Sequence, residues 1–459
     1  MRLVAARRSS LKRIDIMAKL ANVIPIALTA IALGAVAVWP SYIKHSEASA
    51  RVSSLPTMAP ITRDYLDREK LVKFWEGAVN QHHSGDMISP RNLSEQYLQR
   101  YREHGDLDDV LRARHMAEES LRAQPRGNTG ALAELASVDL TLHKFKDALR
   151  VTRDLERSQP GEKNLLVREA SLDLEIGAYP EAKRIIDKLG PAGKYDVGQD
   201  TLVARYEELT GKLGEARVTL ERPSAYQNSQ FDAPAQARAW FFFRAGELAF
   251  EAGDNDVAIA DEARAIEVFP TFADAYRAKA RFECALKRWS DCLASATASA
   301  NIVPYPETLG YQVDAQRALG NEAAAKATGD TIEAIEKIGN AQHISDRLLA
   351  IYYSEHRIHT ADAYRIARRE LAVRDDIITE DTLAWAAAMD GRWPEARGAS
   401  AKAMRFDTEN SLLQYHAGVI ADHFGEHEEA KRHFTKALAL NGQFHQTYAD
   451  DARERLAKL

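Results

Sequence analysis

Cysteine is nearly absent: Cys284 and Cys292 are the only two in 459 residues, so no disulfide framework can hold a chain of this size and packing must do so. No segment alternates apolar and polar residues with a period of two, which excludes a sandwich or barrel of half-buried strands. An excess of positive charge is missing as well. The formal net charge is −6, and residues 1–51, with eight Lys/Arg against Asp15 and Glu47, are net +6, so the remainder carries −12. An acidic body lacks the basic face that tracks phosphates, which argues against a nucleic-acid binder. Catalytic signatures are missing too: there is no GxSxG, P-loop, GxGxxG or HExxH, and two cysteines eight residues apart supply no nucleophile with a recognisable base. No enzymatic activity and no cofactor are expected.

One long apolar run is present. Val23 to Trp39 reads VIPIALTAIALGAVAVW without a charge, and the apolar character extends over 20–43, long enough to cross a bilayer core. Arg2, Arg7, Arg8, Lys12, Arg13 and Lys19 precede it, and only Lys44 and Arg51 closely follow. The positive-inside rule therefore puts residues 1–19 in the cytoplasm and everything after the run outside, in a bacterial envelope. The run serves either as a permanent anchor or as a signal cut near Ala48-Ser49-Ala50. The small and polar stretch 44–60 reads as a tether, and 61–89 as a lead-in helix and loop.

What remains is Ala-, Leu-, Glu- and Arg-rich and helical, and it repeats. Ala113, Ala148, Ala182, Ala216, Ala258, Cys292, Ala325, Ala363, Ala396 and Ala430 follow one another at spacings of 35, 34, 34, 42, 34, 33, 38, 33 and 34. Gly177, Gly211, Gly253, Gly320, Gly391 and Gly425 each stand five residues before their anchor, where a turn between paired helices needs positive φ. Pro125, Pro160, Pro270 and Pro304 stand twelve after it and end the second helix. His143 and Lys287 replace the turn glycine, and Arg357 lies near the turn of the Ala363 unit.

This pattern resembles the tetratricopeptide repeat (TPR) family over residues 90–445, about ten helix pairs, most plainly in EHEEAKRHFTKAL at 426–438 and RWPEARGASAKAM at 392–404. The resemblance implies an all-α, right-handed superhelical solenoid whose small anchors sit where paired helices cross. TLAWAAAMDGRWPEA and HAGVIADHFGEHEEA also look like exported bacterial proteins of this kind. The 42-residue spacing places a loop insertion at 221–236, ERPSAYQNSQFDAPAQ, and 446–459 reads as a capping helix.

His416, His423, His427 and His433 crowd the last repeat beside Asp422 and Glu426, but spacing does not make them converge, and no metal site is expected. The resemblance further implies a concave groove lined by the first helix of each pair, with outward positions about 18, 15, 11, 8 and 7 residues before the anchor. Those offsets select Trp240, Phe243, Glu247, Phe250, Arg277, Arg281, Asp314, Arg317, Tyr352, Glu355, Trp385 and Tyr415 as contacts for a partner protein or extended peptide. The alternative for each is packing between helices or pairing with a local acid. The Lys and Asn pattern that grips a terminal carboxylate in chaperone-associated members is absent at these positions. Arg277, Arg281 and Arg317 would favour a segment carrying carboxylates and an apolar anchor. A receptor for a small anionic ligand or metal, or an accessory subunit of an envelope enzyme, is the alternative function. The two cysteines flank one helix–turn–helix, and pair only if their Cα atoms come within about 7 Å.

Overall fold

The computed structural model describes residues 58–459 except 82–84, 194 and 342–346. The apolar run at 20–43 and most of the tether lie outside these residues; among the described residues no helix is long and apolar enough to cross a membrane. Regular structure among the described residues is helical throughout.

A lead-in helix, α1 (Arg68–Gln81), precedes ten pairs. The first five are α2 (Ile88–His104) with α3 (Leu107–Ala123), α4 (Thr129–Thr141) with α5 (Phe145–Ser158), α6 (Lys163–Glu175) with α7 (Tyr179–Leu189), α8 (Val197–Leu209) with α9 (Leu213–Ser229), and α10 (Ala235–Glu251) with α11 (Asn255–Val268). The second five are α12 (Ala273–Ala285) with α13 (Trp289–Ile302), α14 (Pro306–Ala318) with α15 (Glu322–Ala341), α16 (Arg347–His356) with α17 (Thr360–Val373), α18 (Ile377–Met389) with α19 (Trp393–Ala403), and α20 (Ser411–His423) with α21 (His427–Leu440). A final helix, α22 (Tyr448–Lys458), packs on α21. This is a TPR-like helical repeat.

All ten anchors are 0 or 1 % exposed, because the helices of a pair approach too closely there for a longer side chain. The turn glycines from Gly177 to Gly425 have φ between +74° and +79°, and His143, Lys287 and Arg357 take the same left-handed conformation at φ 55°, 58° and 53°. The departures from glycine thus keep the turn and accept its steric cost. Cys284 and Cys292 are bonded, with Cα atoms 5.2 Å apart, so the disulfide ties α12 to α13 at the anchor position.

The expected loop at 221–236 is corrected. α9 continues through Pro223 to Ser229, and only 230–234 lie outside helix. Pro223 removes one backbone hydrogen bond. The extra turns are held by Arg222 donating to Asp200 at 2.7 Å and by burial of Leu220, Pro223 and Asn228.

Successive windings of the superhelix touch. The α6–α7 turn meets the α17–α18 loop: the Ile377 amide donates to the Tyr179 hydroxyl at 3.1 Å, and Arg374 bridges Glu175 at 2.7 Å and Asp376 at 2.6 Å. Those three side chains are at most 4 % exposed. Beside Arg374, the Asp376 carboxyl is held well below the usual range despite its burial. One repeat on, the Thr408 hydroxyl donates to the Leu209 carbonyl and the Leu213 amide to Glu409, both at 2.9 Å. A further repeat on, Asn441 donates to the Phe250 carbonyl at 2.7 Å. Leu166, Leu202 and Leu209 share a core with Ile377 and Leu413 across the same seam. The turns at Gly177, Gly211 and Gly253 are thereby each met by a loop nearly 200 residues later.

Candidate partner-binding groove

The groove offsets place residues in two layers. Trp240, Phe243, Phe250, Tyr352, Trp385 and Tyr415 are all buried. Phe250 stacks on Phe282 at 4.3 Å, Phe243 meets Phe272 edge-on at 5.6 Å, and Tyr415 stacks on Tyr448 at 4.6 Å. Trp385 stacks on His416 at 4.1 Å. These rings build the wall between successive first helices, where large flat side chains fill the wide spacing that small residues cannot.

The charged members form a network of ion pairs between successive first helices. Arg244 bridges Glu208 at 2.6 Å and also pairs with Glu247. Glu247 accepts from Arg281 at 3.4 Å, and Arg281 reaches Glu251 at 3.5 Å. Arg277 is buried and bridges Glu307 at 3.0 Å and Asp274 at 3.3 Å. Glu307 in turn accepts from the Tyr311 hydroxyl at 2.7 Å. Asp314 lies 2.9 Å from the His356 ring and accepts from Gln446 at 2.9 Å. Arg317 is exposed, with Glu322 at 3.9 Å. Arg205, Glu208, Arg244, Glu307, His356 and the 441–447 loop were not selected by the offsets. The signal for the pairs was available: Glu247 and Arg281 stand one repeat apart and opposite in sign.

Counted along α8 to α16, carboxylates outnumber guanidiniums. Arg205, Arg244, Arg277, Arg281 and Arg317, with the His356 ring beside Asp314, face Glu208, Glu247, Glu251, Asp274, Glu307, Asp314, Glu322 and Glu355. Where an arginine is close the acid stays ionised: Arg205 and Arg244 overcome burial and pull Glu208 down to about 2, and Arg277 lowers Glu307 likewise. Where none suffices, burial wins. Glu251 and Asp274 are raised, and Glu355 is pushed up to about 8, with Glu307 and Asp314 adding repulsion. Opposite Glu355, at 3.9 Å, stands His445, which burial lowers to about 3.

Of the expected positive cluster at Arg277, Arg281 and Arg317, the first two are paired with acids and the third stands exposed with Glu322 at 3.9 Å, so the cluster is matched by carboxylates. The four histidines of the last repeat go to separate partners: His416 to Asp381 at 2.9 Å, His433 to Gln414 at 2.6 Å, His423 onto the Trp393 ring at 3.6 Å, and His427 toward Asp422 at 3.7 Å. Among the described residues no group of three or more metal-ligating side chains converges. A cavity of about 360 Å³ opens between α18, α20 and α22, lined by Arg357, Met389, Trp393, Val419, Asp422, His423 and Arg455.

No family model matches the sequence, and no curated protein matches it. Among solved structures the chain is similar to the APC/C hetero-tetramer Cut9-Hcn1, at 14 % identity over 85 % of this chain and 82 % of that one, with a TM-score of 0.33.

Proposed function

We propose that this protein is a non-catalytic scaffold, held at a bacterial membrane by its N-terminal segment with the repeats outside the cytoplasm, and that its groove binds an extended basic segment of a partner protein. The clustering of carboxylates along successive first helices carries this reading: Glu247 and Glu208 disfavour the charged form of Glu251, and Glu307 and Asp314 that of Glu355, so an incoming Lys or Arg relieves crowding to which an acidic segment would add. Glu247, Arg281, Asp314 and Arg317 keep open area and are the contact residues; the buried aromatics hold the wall that presents them.

Fluorescence anisotropy with a Lys- and Arg-rich labelled peptide and its Glu-rich counterpart tests the reading. Binding of the basic peptide, weakened by salt and by Glu247→Gln with Asp314→Asn, supports it. Equal or stronger binding of the acidic peptide rejects it.

A further inference from the structure

The lead-in helix buries one side and leaves the other bare. Arg68 donates to Glu103 at 2.9 and 3.1 Å and to Gln96 at 2.7 Å, and Val72 is fully buried against α2 and α3. Beside that face Leu66, in the turn before the helix, is 61 % exposed, and on the helix Leu71 is 41 % and Phe74 64 % exposed. Lys70 and Lys73 project beside them, with Asp67 and Glu69 as local partners. Large exposed apolar side chains so close in sequence mark a contact surface.

The chain before this helix is clamped. Ala59 donates its amide to the Asn228 carbonyl at 3.1 Å. Arg238, fully buried, donates to the carbonyls of Ala59 and Pro60 at 2.7 Å each. The Thr62 hydroxyl donates to the Ala233 carbonyl at 2.9 Å, and Asp64 accepts from the Ala235 amide at 3.1 Å. The bare face therefore belongs to the rigid body of the array. Between the apolar run ending at residue 43 and the clamp lie only residues 44–57, which span at most about 50 Å when fully extended.

We propose that Leu66, Leu71 and Phe74 rest on the lipid surface, with Lys70 and Lys73 at headgroup level, so that α1 fixes the orientation of the array over the membrane. The proposal rests on the reading that 20–43 is inserted, since the short tether is what keeps this face beside lipid. An apolar strip with lysines along its solvent side is the composition of a helix lying in the interface.

The test uses the full chain carrying Phe74→Cys, labelled with a nitrobenzoxadiazole dye; the native cysteines are bonded to each other and do not compete. The chain is reconstituted in phosphatidylcholine and phosphatidylglycerol vesicles with and without acyl-chain doxyl lipid. Val218→Cys, exposed on α9, serves as the reference site, and circular dichroism verifies both folds. Loss of fluorescence at 74 with doxyl lipid, with none at 218, supports the proposal, and Lys70→Glu with Lys73→Glu should diminish that loss. An unquenched label at 74 overturns it, as does a change at 74 that follows protein concentration instead of lipid and so identifies a second copy as the occupant. Alkaline carbonate extraction of the same samples reports separately on insertion. A chain that extracts yet is quenched at 74 refutes the anchor and keeps the interfacial helix.

Discussion

Gly177 and Gly391 occupy equivalent turns with φ of +77° and +76°, yet alanine should cost far more at the first. At Gly391 an added Cβ meets nothing within 4 Å, so the penalty is that of an L-residue in the left-handed region, about 1–2 kcal/mol. At Gly177 the same atom would stand 1.9 Å from the Asp375 carbonyl oxygen and 2.5 Å from its carbon. Those are backbone atoms and cannot rotate away. The α17–α18 loop must retreat, and it carries Arg374 and Asp376 away from Glu175 and Ile377 away from Tyr179. Breaking a buried ion pair costs about 3–5 kcal/mol, so Gly177→Ala should lose roughly that much more than Gly391→Ala. Thermal melting gives the order. Hydrogen exchange gives the location: protection should fall in the α6–α7 turn and also at 373–378, while Gly391→Ala should affect only its own pair. Gly320→Ala, which likewise meets nothing within 4 Å, is the control. Equal penalties for Gly177 and Gly391, or exchange confined to the α6–α7 turn, would refute the claim that the seam contributes to stability.

Glu355 holds its proton up to about pH 8 against 4.5 for an ordinary glutamate, so it favours the folded chain below 4.5 and that contribution is lost as pH rises through 8, by up to about 5 kcal/mol at ~1.4 per unit. His445, lowered from 6.5 to about 3, acts oppositely: its cost appears as pH falls below 6.5 and grows toward 3. These two groups place maximal stability between pH 4.5 and 6.5, and melting of Glu355→Gln should decline less than the parent between pH 6.5 and 9; identical slopes would show that Glu355 is not buried as described. Ala396→Leu, at a position with no exposure, should cost about 1–3 kcal/mol or more and lower the melting temperature, whereas Ala401→Leu on the exposed side of the same helix should leave it nearly unchanged.

The local grammar of the fold was legible because it is written at short range. The anchors from Ala113 to Ala430 and the turn glycines recur at one repeat length, and each needs only its own pair to explain it. The turn at His143 was legible through its position despite the wrong residue type. Extension of α9 past Pro223 was not, because a helix interior that tolerates proline does so through tertiary contacts such as Arg222 to Asp200. The seam was invisible for a different reason. Asp375, Asp407 and Asn441 recur eleven or twelve residues after their anchors, but their meeting with Gly177, Gly211 and Gly253 depends on the pitch of the whole superhelix. In the groove, the offsets located Arg277 and Arg281 but not their charge balance, which is set by acids one repeat away on either side.

An array of helix pairs is ordinarily expected to nucleate anywhere and grow outward, each unit needing only its neighbours. The seam changes the order of events in this chain. Glu175 waits for Arg374, and Leu209 for Thr408. At synthesis rates of about 5–20 residues per second, a partner nearly 200 residues away arrives roughly 10–40 s later. Throughout that interval the early turns can pair locally but expose a long apolar and hydrogen-bonding edge, including Leu166, Leu202 and Leu209. The first half of the protein is therefore an intermediate with a built-in lifetime, completed only when the last three pairs close over it, and that interval is when it is most open to proteolysis, to chaperones and to pairing with another nascent copy of itself.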